Sequence, residues 1–202
     1  MASKLNWKPA SILAGVATPT GAKLENGRVF ARELTNLSLA TVLVRKGQAK
    51  KFAAQVKKLY GLEPPTGPSR AASGPVAFVA TGPGAWMAVK EGGDIMWPQQ
   101  LAEELKGLAS VMDQSDGYTA IRVEGPAVLE TLAKGVFQDL HISAFPVGAA
   151  AGASVAHIGV ILWRREVETF EFLTFRSYAP SFWHWLEESA VEYGFGVLPP
   201  AV

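Results

Sequence analysis

Three histidines, His141, His157 and His184, are the side chains best suited to move a proton near neutral pH, and none stands three or four residues from another. The His-x-x-x-His pair that a helix presents to zinc is therefore excluded, although a site assembled from distant positions is not. Asp139 lies two residues before His141, close enough for a carboxylate to steady an imidazole for acid–base work; the plainer reading is a polar loop. His157 falls in an apolar stretch and reads as a hydrogen-bonded sheet or core residue. Asp113 and Asp116 bring two carboxylates together, but a calcium loop needs Asp-x-Asp/Asn-x-Asp/Asn-Gly and a distal Glu. The stretch Val111-Met-Asp-Gln-Ser-Asp-Gly117 has neither and reads as an Asx-type turn ahead of a strand.

Other chemistries fail on composition or context. The chain has no cysteine, so disulfides, thiolate metal sites and a cysteine nucleophile are ruled out, as fits a reducing compartment. Gly82-Pro-Gly84 lacks the Gly-Lys-Ser/Thr ending and the following helix of a phosphate loop, so Thr81 to Gly84 reads as a hairpin turn. No Gly-x-Ser-x-Gly elbow or dinucleotide fingerprint occurs. A net charge of +1 gives no reason to expect nucleic acid or an acidic membrane surface. Lys4 and Lys8 precede a small apolar run, Ile12 to Ala17, that is broken at Pro19 and is poor in large side chains; a signal peptide is the minority reading. The expectation is a soluble, cytoplasmic protein.

The elements that must position these residues follow from periodicity. With 49% hydrophobic and 18% charged residues the 202-residue chain can bury a substantial core. Residues 1–30 are read as an N-terminal arm and 31–202 as one unit of two halves, 31–108 and 109–202. In the first half, Leu37 to Arg45 is β-prone. Gly47 opens a helix with Phe52, Ala53, Val56, Leu59 and Tyr60 on one face, ending at Gly61; its lysines, Lys50, Lys51, Lys57 and Lys58, read as a solvated face rather than an anion-binding one. Leu62 to Gly74 is a loop by its Pro and Gly content. Pro75 to Ala80 and Ala85 to Val89 are strands, and Trp97-Pro98 starts a helix through Leu101, Leu105 and Leu108.

The same order recurs in the second half. Strand Tyr118 to Val123 ends at Gly125-Pro126, a helix uses Val128, Leu129, Leu132 and Ala133 up to Gly135, and Gly148 to Ser154 is a small-residue loop. Strands Val155 to Trp163 and Thr169 to Phe175 follow, and Pro180 launches the last helix. An α+β fold results, made of two related halves with mainly antiparallel sheets flanked by helices; a doubly wound parallel sheet is disfavoured. On the last helix, Phe182, Trp185, Leu186, Ser189, Ala190 and Tyr193 form one buried face. Trp183 falls on its flank and His184 opposite. An indole outside the core stripe is either a partner contact, since aromatic residues are enriched at interfaces, or is covered by a neighbouring loop of the same chain.

Several stretches together resemble the gamma subunit of heterotetrameric sarcosine oxidase: Val111 to Gly117, Ile121-Arg-Val-Glu-Gly-Pro-Ala127, Leu132-Ala-Lys-Gly135, Asp139-Leu-His141, Ala144-Phe-Pro146, Ala156-His-Ile158 and Arg176-Ser-Tyr-Ala-Pro-Ser-Phe-Trp-His-Trp-Leu186. They span nearly half the chain in order, and the likeness fades before about residue 97. Ala153-Ser-Val155 departs from the threonine-containing stretch of that family. More distantly, Asp113-Gln-Ser115 followed by a strand and Gly-Pro is similar to the junction in folate-binding aminomethyltransferases, which implies the duplicated, intertwined folate-binding-domain fold.

The resemblance further implies a non-catalytic subunit of a complex that oxidatively demethylates sarcosine to glycine, with hydrogen peroxide and 5,10-methylenetetrahydrofolate or formaldehyde as products. It implies FAD, FMN, NAD, tetrahydrofolate and zinc on other subunits and none on this chain, with alpha, beta and delta subunits as partners and no catalytic, cofactor or metal residue here. Trp183, His184 and Arg176 are the expected partner interface. The competing readings are a stand-alone folate-binding or aminomethyltransferase-like protein and a subunit of an oxidase acting on another N-methylated amine.

Overall fold

The computed structural model describes residues 11–20 and 27–201. Most of the expected N-terminal arm, residues 1–10 and 21–26, lies outside the described residues. In chain order the elements are β1 (Val29–Leu34), β2 (Leu37–Val44), α1 (Ala49–Tyr60), β3 (Arg70–Ser73), β4 (Val76–Gly82), β5 (Ala85–Glu91), α2 (Trp97–Glu104) and β6 (Ala109–Asp113). There follow β7 (Tyr118–Glu124), α3 (Val128–Leu132), β8 (Ala150–Val155), β9 (Ile158–Glu166), β10 (Thr169–Phe175), α4 (Ala179–Ala190) and β11 (Phe195–Val197).

The strands form a six-stranded sheet in the order β11-β1-β7-β10-β9-β8 and a five-stranded sheet in the order β3-β4-β5-β2-β6. Among the described residues all strand pairs are antiparallel except β1 with β11. Each sheet takes one strand from the opposite half of the sequence: β1 lies in the six-stranded sheet and β6 in the five-stranded one. Alternation along the strands gives every sheet two buried faces. Ile121 and Val123 of β7 meet Phe182 and Leu186 of α4 in one core, and Val42, Phe78 and Trp86 meet Phe52 and Val56 of α1 in a second. Between the sheets lies a third layer, in which Leu39, Val79 and Met87 face Ala120, Trp163 and Leu173.

Local chemistry accounts for the helices. Phe52 and Val56, one turn apart, are the buried residues of α1, while Lys57 and Lys58 sit in its last turn, where the helix dipole favours cations. Gly61 ends it in the left-handed conformation and donates its N–H to the Lys57 carbonyl. Pro98 opens α2, and Tyr60 ties α1 to α2 by donating to Glu104 at 2.8 Å while accepting from the Trp97 indole at 3.3 Å.

Several expectations change. Part of the Leu62 to Gly74 loop is the edge strand β3, and Val111 to Asp113, read as the start of the turn ahead of β7, belongs to the edge strand β6. The small-residue loop Gly148 to Ser154 is mostly β8; the strand pairs with β9 along its whole length and buries Ala150 and Val155, a tertiary advantage that propensity does not report. Val155 to Trp163 is not one strand. Val155 pairs with Ile158 across a two-residue turn made by Ala156 and His157, both with positive φ. His157 is therefore an exposed hairpin tip and not a sheet or core residue. The helix through Leu108 ends at Glu104, and α4 stops at Ala190, leaving Tyr193 in a 3₁₀ turn.

Candidate functional site

The Asp139–His141 pair is placed for structure. Asp139 accepts the His141 backbone N–H at 2.9 Å, and the His141 Nδ1 shares a 2.7 Å hydrogen bond with Ser143 Oγ. The carboxylate thus closes a turn and leaves the imidazole to Ser143. Both residues line a shallow hollow of about 340 Å³, walled by Leu129, Ala133, Val136 and Leu140. Beside it in sequence Phe137 is 81% exposed. His157 and His184 sit on other elements, the β8–β9 tip and α4. Among the described residues no three His, Asp or Glu side chains gather as a metal site requires, and no helix is long and apolar enough to cross a membrane.

The Asp113-Gln-Ser115 stretch is a latch between strands of different halves. Asp113 accepts from the Ser115 N–H at 2.9 Å and from its hydroxyl at 2.7 Å; Ser115 Oγ in turn accepts the Leu39 N–H at 3.0 Å. Gln114 N–H donates to the Leu39 carbonyl at 2.8 Å. The turn so held is where the chain leaves β6 for β7 in the other sheet. As expected of an Asx turn, its carboxylate is spent on the backbone.

Around α4 the motifs explain one another. An ideal Cβ on Gly135 would lie 2.6 Å from the Trp185 ring, so only glycine lets that indole settle there. Lys134 donates to the Ser189 carbonyl at 2.6 Å, pairs with Glu192 and lies over the Tyr193 ring at 4.7 Å. Gly125, with φ +125°, passes so close to Arg28 that a Cβ would meet its carbonyl oxygen at 2.4 Å. These glycines fix how the helices seat on the six-stranded sheet.

The expected interface residues do not share one environment. Trp183 is 0% exposed: its indole N–H donates to Glu187 at 2.8 Å and its ring meets Phe195 edge-on at 6.0 Å. The expectation that it stands at the surface is therefore corrected. β11, which sequence reading missed, returns against β1 and covers it. A three-residue strand with one large apolar side chain gives too little pattern to detect. His184 is exposed on the outer side of α4, and Arg176 is half-buried at the start of a 3₁₀ turn between exposed Phe175 and Tyr178. Phe175 also packs on Tyr118, with ring centroids 4.6 Å apart. This end of the molecule thus offers apolar rings flanking a cation.

Sequence reading also missed charge within the fold. Glu171, 3% exposed, receives two N–H groups of Arg122, the closer at 2.5 Å, and the Trp163 indole N–H at 2.6 Å. Arg164 is 1% exposed and stacks over Phe170 at 4.6 Å; it donates to the Leu140 carbonyl at 2.6 Å, and its Nε and Nη1 lack partners. Burial holds its guanidinium below the ordinary value. The available signal was strand alternation, which put Arg122 and Glu171 on the face opposite Ile121 and Phe172.

Comparison with known proteins agrees with this geometry. A family model described as "Sarcosine oxidase, gamma subunit family" matches residues 46–192. A sarcosine oxidase subunit gamma of Arthrobacter sp is 26% identical over 167 residues, covering 83% of this chain and 82% of that protein. One from Corynebacterium sp. (strain U-96) is 34% identical over 83 residues, 41% of this chain and 40% of that protein. Among solved structures, a chain of heterotetrameric sarcosine oxidase from Corynebacterium sp. U-96, in complex with pyrrole 2-carboxylate, superposes with a TM-score of 0.78 at 24% identity, covering 91% of this chain and 95% of that one. The glycine cleavage system aminomethyltransferase T from Bartonella henselae gives a TM-score of 0.61 at 12% identity over 87% of this chain and 48% of that one. At those identities the two structures establish an α+β fold shared with aminomethyltransferases.

Proposed function

The chain belongs to the sarcosine oxidase gamma subunit family, and from that premise we propose that it is a non-catalytic subunit of a sarcosine oxidase complex in the cytoplasm. The complex would oxidise sarcosine to glycine with release of hydrogen peroxide, passing the one-carbon unit to tetrahydrofolate or releasing formaldehyde. Its alpha, beta and delta subunits would be this chain's partners, with FAD, FMN, NAD, tetrahydrofolate and zinc held by them. The observation that carries the proposal is the family match over residues 46–192. The site geometry supports it, because Asp113 and Asp139 are engaged by their own turns and the histidines stand on separate elements.

We further infer that the chain is a duplication whose halves, 31–108 and 109–202, are intertwined after a folate-binding domain. Supporting this, β1-β7-β10-β9-β8 and β6-β2-β5-β4-β3 are the same sequence of elements once each half's first strand is exchanged. Gly47 and Gly125, both with positive φ, stand at equivalent strand-to-helix junctions. On the surface, Arg176 and His184 are proposed to face a larger subunit, with Phe175 and Tyr178 in the apolar role first given to Trp183.

Affinity purification of the tagged chain from its host tests the reading. The expected result is co-elution with larger chains that carry flavin absorbance and turn over sarcosine, while the chain alone does neither. Sarcosine turnover by the isolated chain, or stoichiometric flavin on it, would contradict the proposal; saturable tetrahydrofolate binding by the isolated chain would favour a stand-alone folate-binding protein instead.

A further inference from the structure

One end of the space between the two sheets is lined by charge. Arg32 stands beside Arg122, Arg122 beside Glu171 and Glu171 beside Trp163 across neighbouring strands, all on the face turned toward the five-stranded sheet. Arg32 pairs with Glu124 at 3.0 Å and Arg122 with Glu171 at 2.5 Å, while Arg165 divides between Glu91 at 3.4 Å and Glu171 at 3.9 Å. The three carboxylates of this layer are thereby engaged. A fourth guanidinium, Arg70 of β3, is opposite Val79 and so looks into the same space. Among the described residues its side chain makes no hydrogen bond or ion pair, and its Nε is sealed from solvent without a partner. Burial first, and then the nearby Arg165, hold the Arg70 guanidinium below its ordinary value; Glu171 and Glu91 act in the opposite direction.

Leaving a guanidinium nitrogen desolvated and unpaired is unfavourable by more than a neutral donor would be. Arg70 is nevertheless only half-buried, so it is open to an incoming group. Its surroundings suit a protein surface better than a free ion. Val147, next to the Gly148 carbonyl that accepts the Arg70 amide, is 51% exposed, and Val167, at the turn joining the strands of Arg165 and Glu171, is 61% exposed. The hollows beside His141 and beside Leu13 are lined by other residues.

We propose that Arg70, backed by Arg165 and Arg122, is a carboxylate-binding site completed by an Asp or Glu side chain of a neighbouring subunit. A planar guanidinium accepts a carboxylate in a two-pronged hydrogen bond, and this fourth carboxylate matches the layer's four cations. The assignment rests on the chain being a subunit of a complex. Arginines enclosed by an apolar rim are among the side chains that dominate such contacts.

Phenylglyoxal modification read by mass spectrometry tests it on the unmutated protein. Arg70 is expected to react in the isolated full chain and to lose reactivity about tenfold in the purified complex, relative to exposed Arg45; Arg70→Gln should raise the Kd for assembly about tenfold, with Arg70→Lys recovering part of the loss. Equal Arg70 reactivity in the free and assembled states overturns the site. Protection of the isolated chain by acetate, with Arg70 still reactive in the complex, overturns the partner assignment in favour of a small carboxylate. Failure to recover any flavin-carrying complex would instead strike at the subunit reading, and the acetate arm would still report on Arg70. If Arg70→Gln fails to fold, as circular dichroism would reveal, the modification pattern of the unmutated complex decides.

Discussion

Trp183 and Arg164 are both enclosed, with opposite consequences for stability. The Trp183 indole has a hydrogen-bond acceptor in Glu187 and an aromatic neighbour in Phe195, so Trp183→Ala removes a satisfied group and leaves a cavity. The expected loss is about 3–5 kcal/mol, seen as a lower urea midpoint of the isolated chain; His184→Ala, on the exposed side of the same helix, should stay within about 0.5 kcal/mol. An unchanged midpoint for Trp183→Ala would show that the indole does not carry the packing assigned to it. Arg164 has a ring beneath it and one carbonyl, but two of its nitrogens have no partner. Arg164→Met keeps the stem against Phe170 and discards the desolvated charge, so a gain of roughly 1 kcal/mol is expected. A loss of that size would mean that the guanidinium pairs with something beyond its Leu140 contact, such as enclosed water.

At the level of elements, the β8–β9 hairpin turns through two residues that favour negative φ, Ala156 at +46° and His157 at +70°. Two-residue hairpins of this hand normally carry Asn-Gly. Left-handed backbone costs a side-chain-bearing residue about 1–2 kcal/mol, against the roughly 0.5–1 kcal/mol of extra unfolded-state freedom that glycine brings. His157→Gly should therefore raise Tm by about 2–4 °C, measurable by calorimetry; a fall would show that the imidazole makes a stabilising contact. Gly135→Ala should do the reverse, costing about 1–3 kcal/mol as its Cβ meets the Trp185 ring, and a neutral result would show that the ring moves aside freely. These two sites also mark where sequence reading succeeds and where it stops. The helix ending at Gly61, the β4–β5 turn and the buried face of α4 could be read because their periodicity and their Gly and Pro signals agree. The Ala156-His157 turn could not, since neither residue announces positive φ, and β3, β6 and β8 could not because edge strands of four to six residues, several of them alanine, carry little pattern. For the proposed interface, His184 was read on the outer side of α4 and Arg176 just ahead of that helix, while Trp183 was misplaced because the β11 that covers it was not foreseen. Arg70 was passed over because its role depends on which carboxylates a folded sheet brings near it, and spacing along one strand does not contain that.

For the whole molecule, the exchange of β1 and β6 makes the two sheets dependent on each other. A chain cut between residues 108 and 109 would leave the first half with β1 but no six-stranded sheet to receive it, and with β2 lacking its edge partner β6. Leu39, Val79 and Met87, buried only where Ala120, Trp163 and Leu173 oppose them, would face water. Loss of these three side chains from the interior, each contributing about 1.5–3 kcal/mol, is comparable to the whole stability of an ordinary domain. The fragment 31–108 is therefore expected to show no cooperative unfolding and a poorly dispersed NMR spectrum, and mixing it with 109–202 should restore both. The Asp113-Gln-Ser115 latch holds the crossing from one sheet to the other by bonds to Leu39, so Ser115→Ala should weaken this recombination more than it weakens the intact chain, where covalent connection already holds β6 near β2. A first fragment that unfolds cooperatively on its own would mean that each half carries a self-sufficient core, and the exchanged strands would then be ornament instead of the structural tie between the halves.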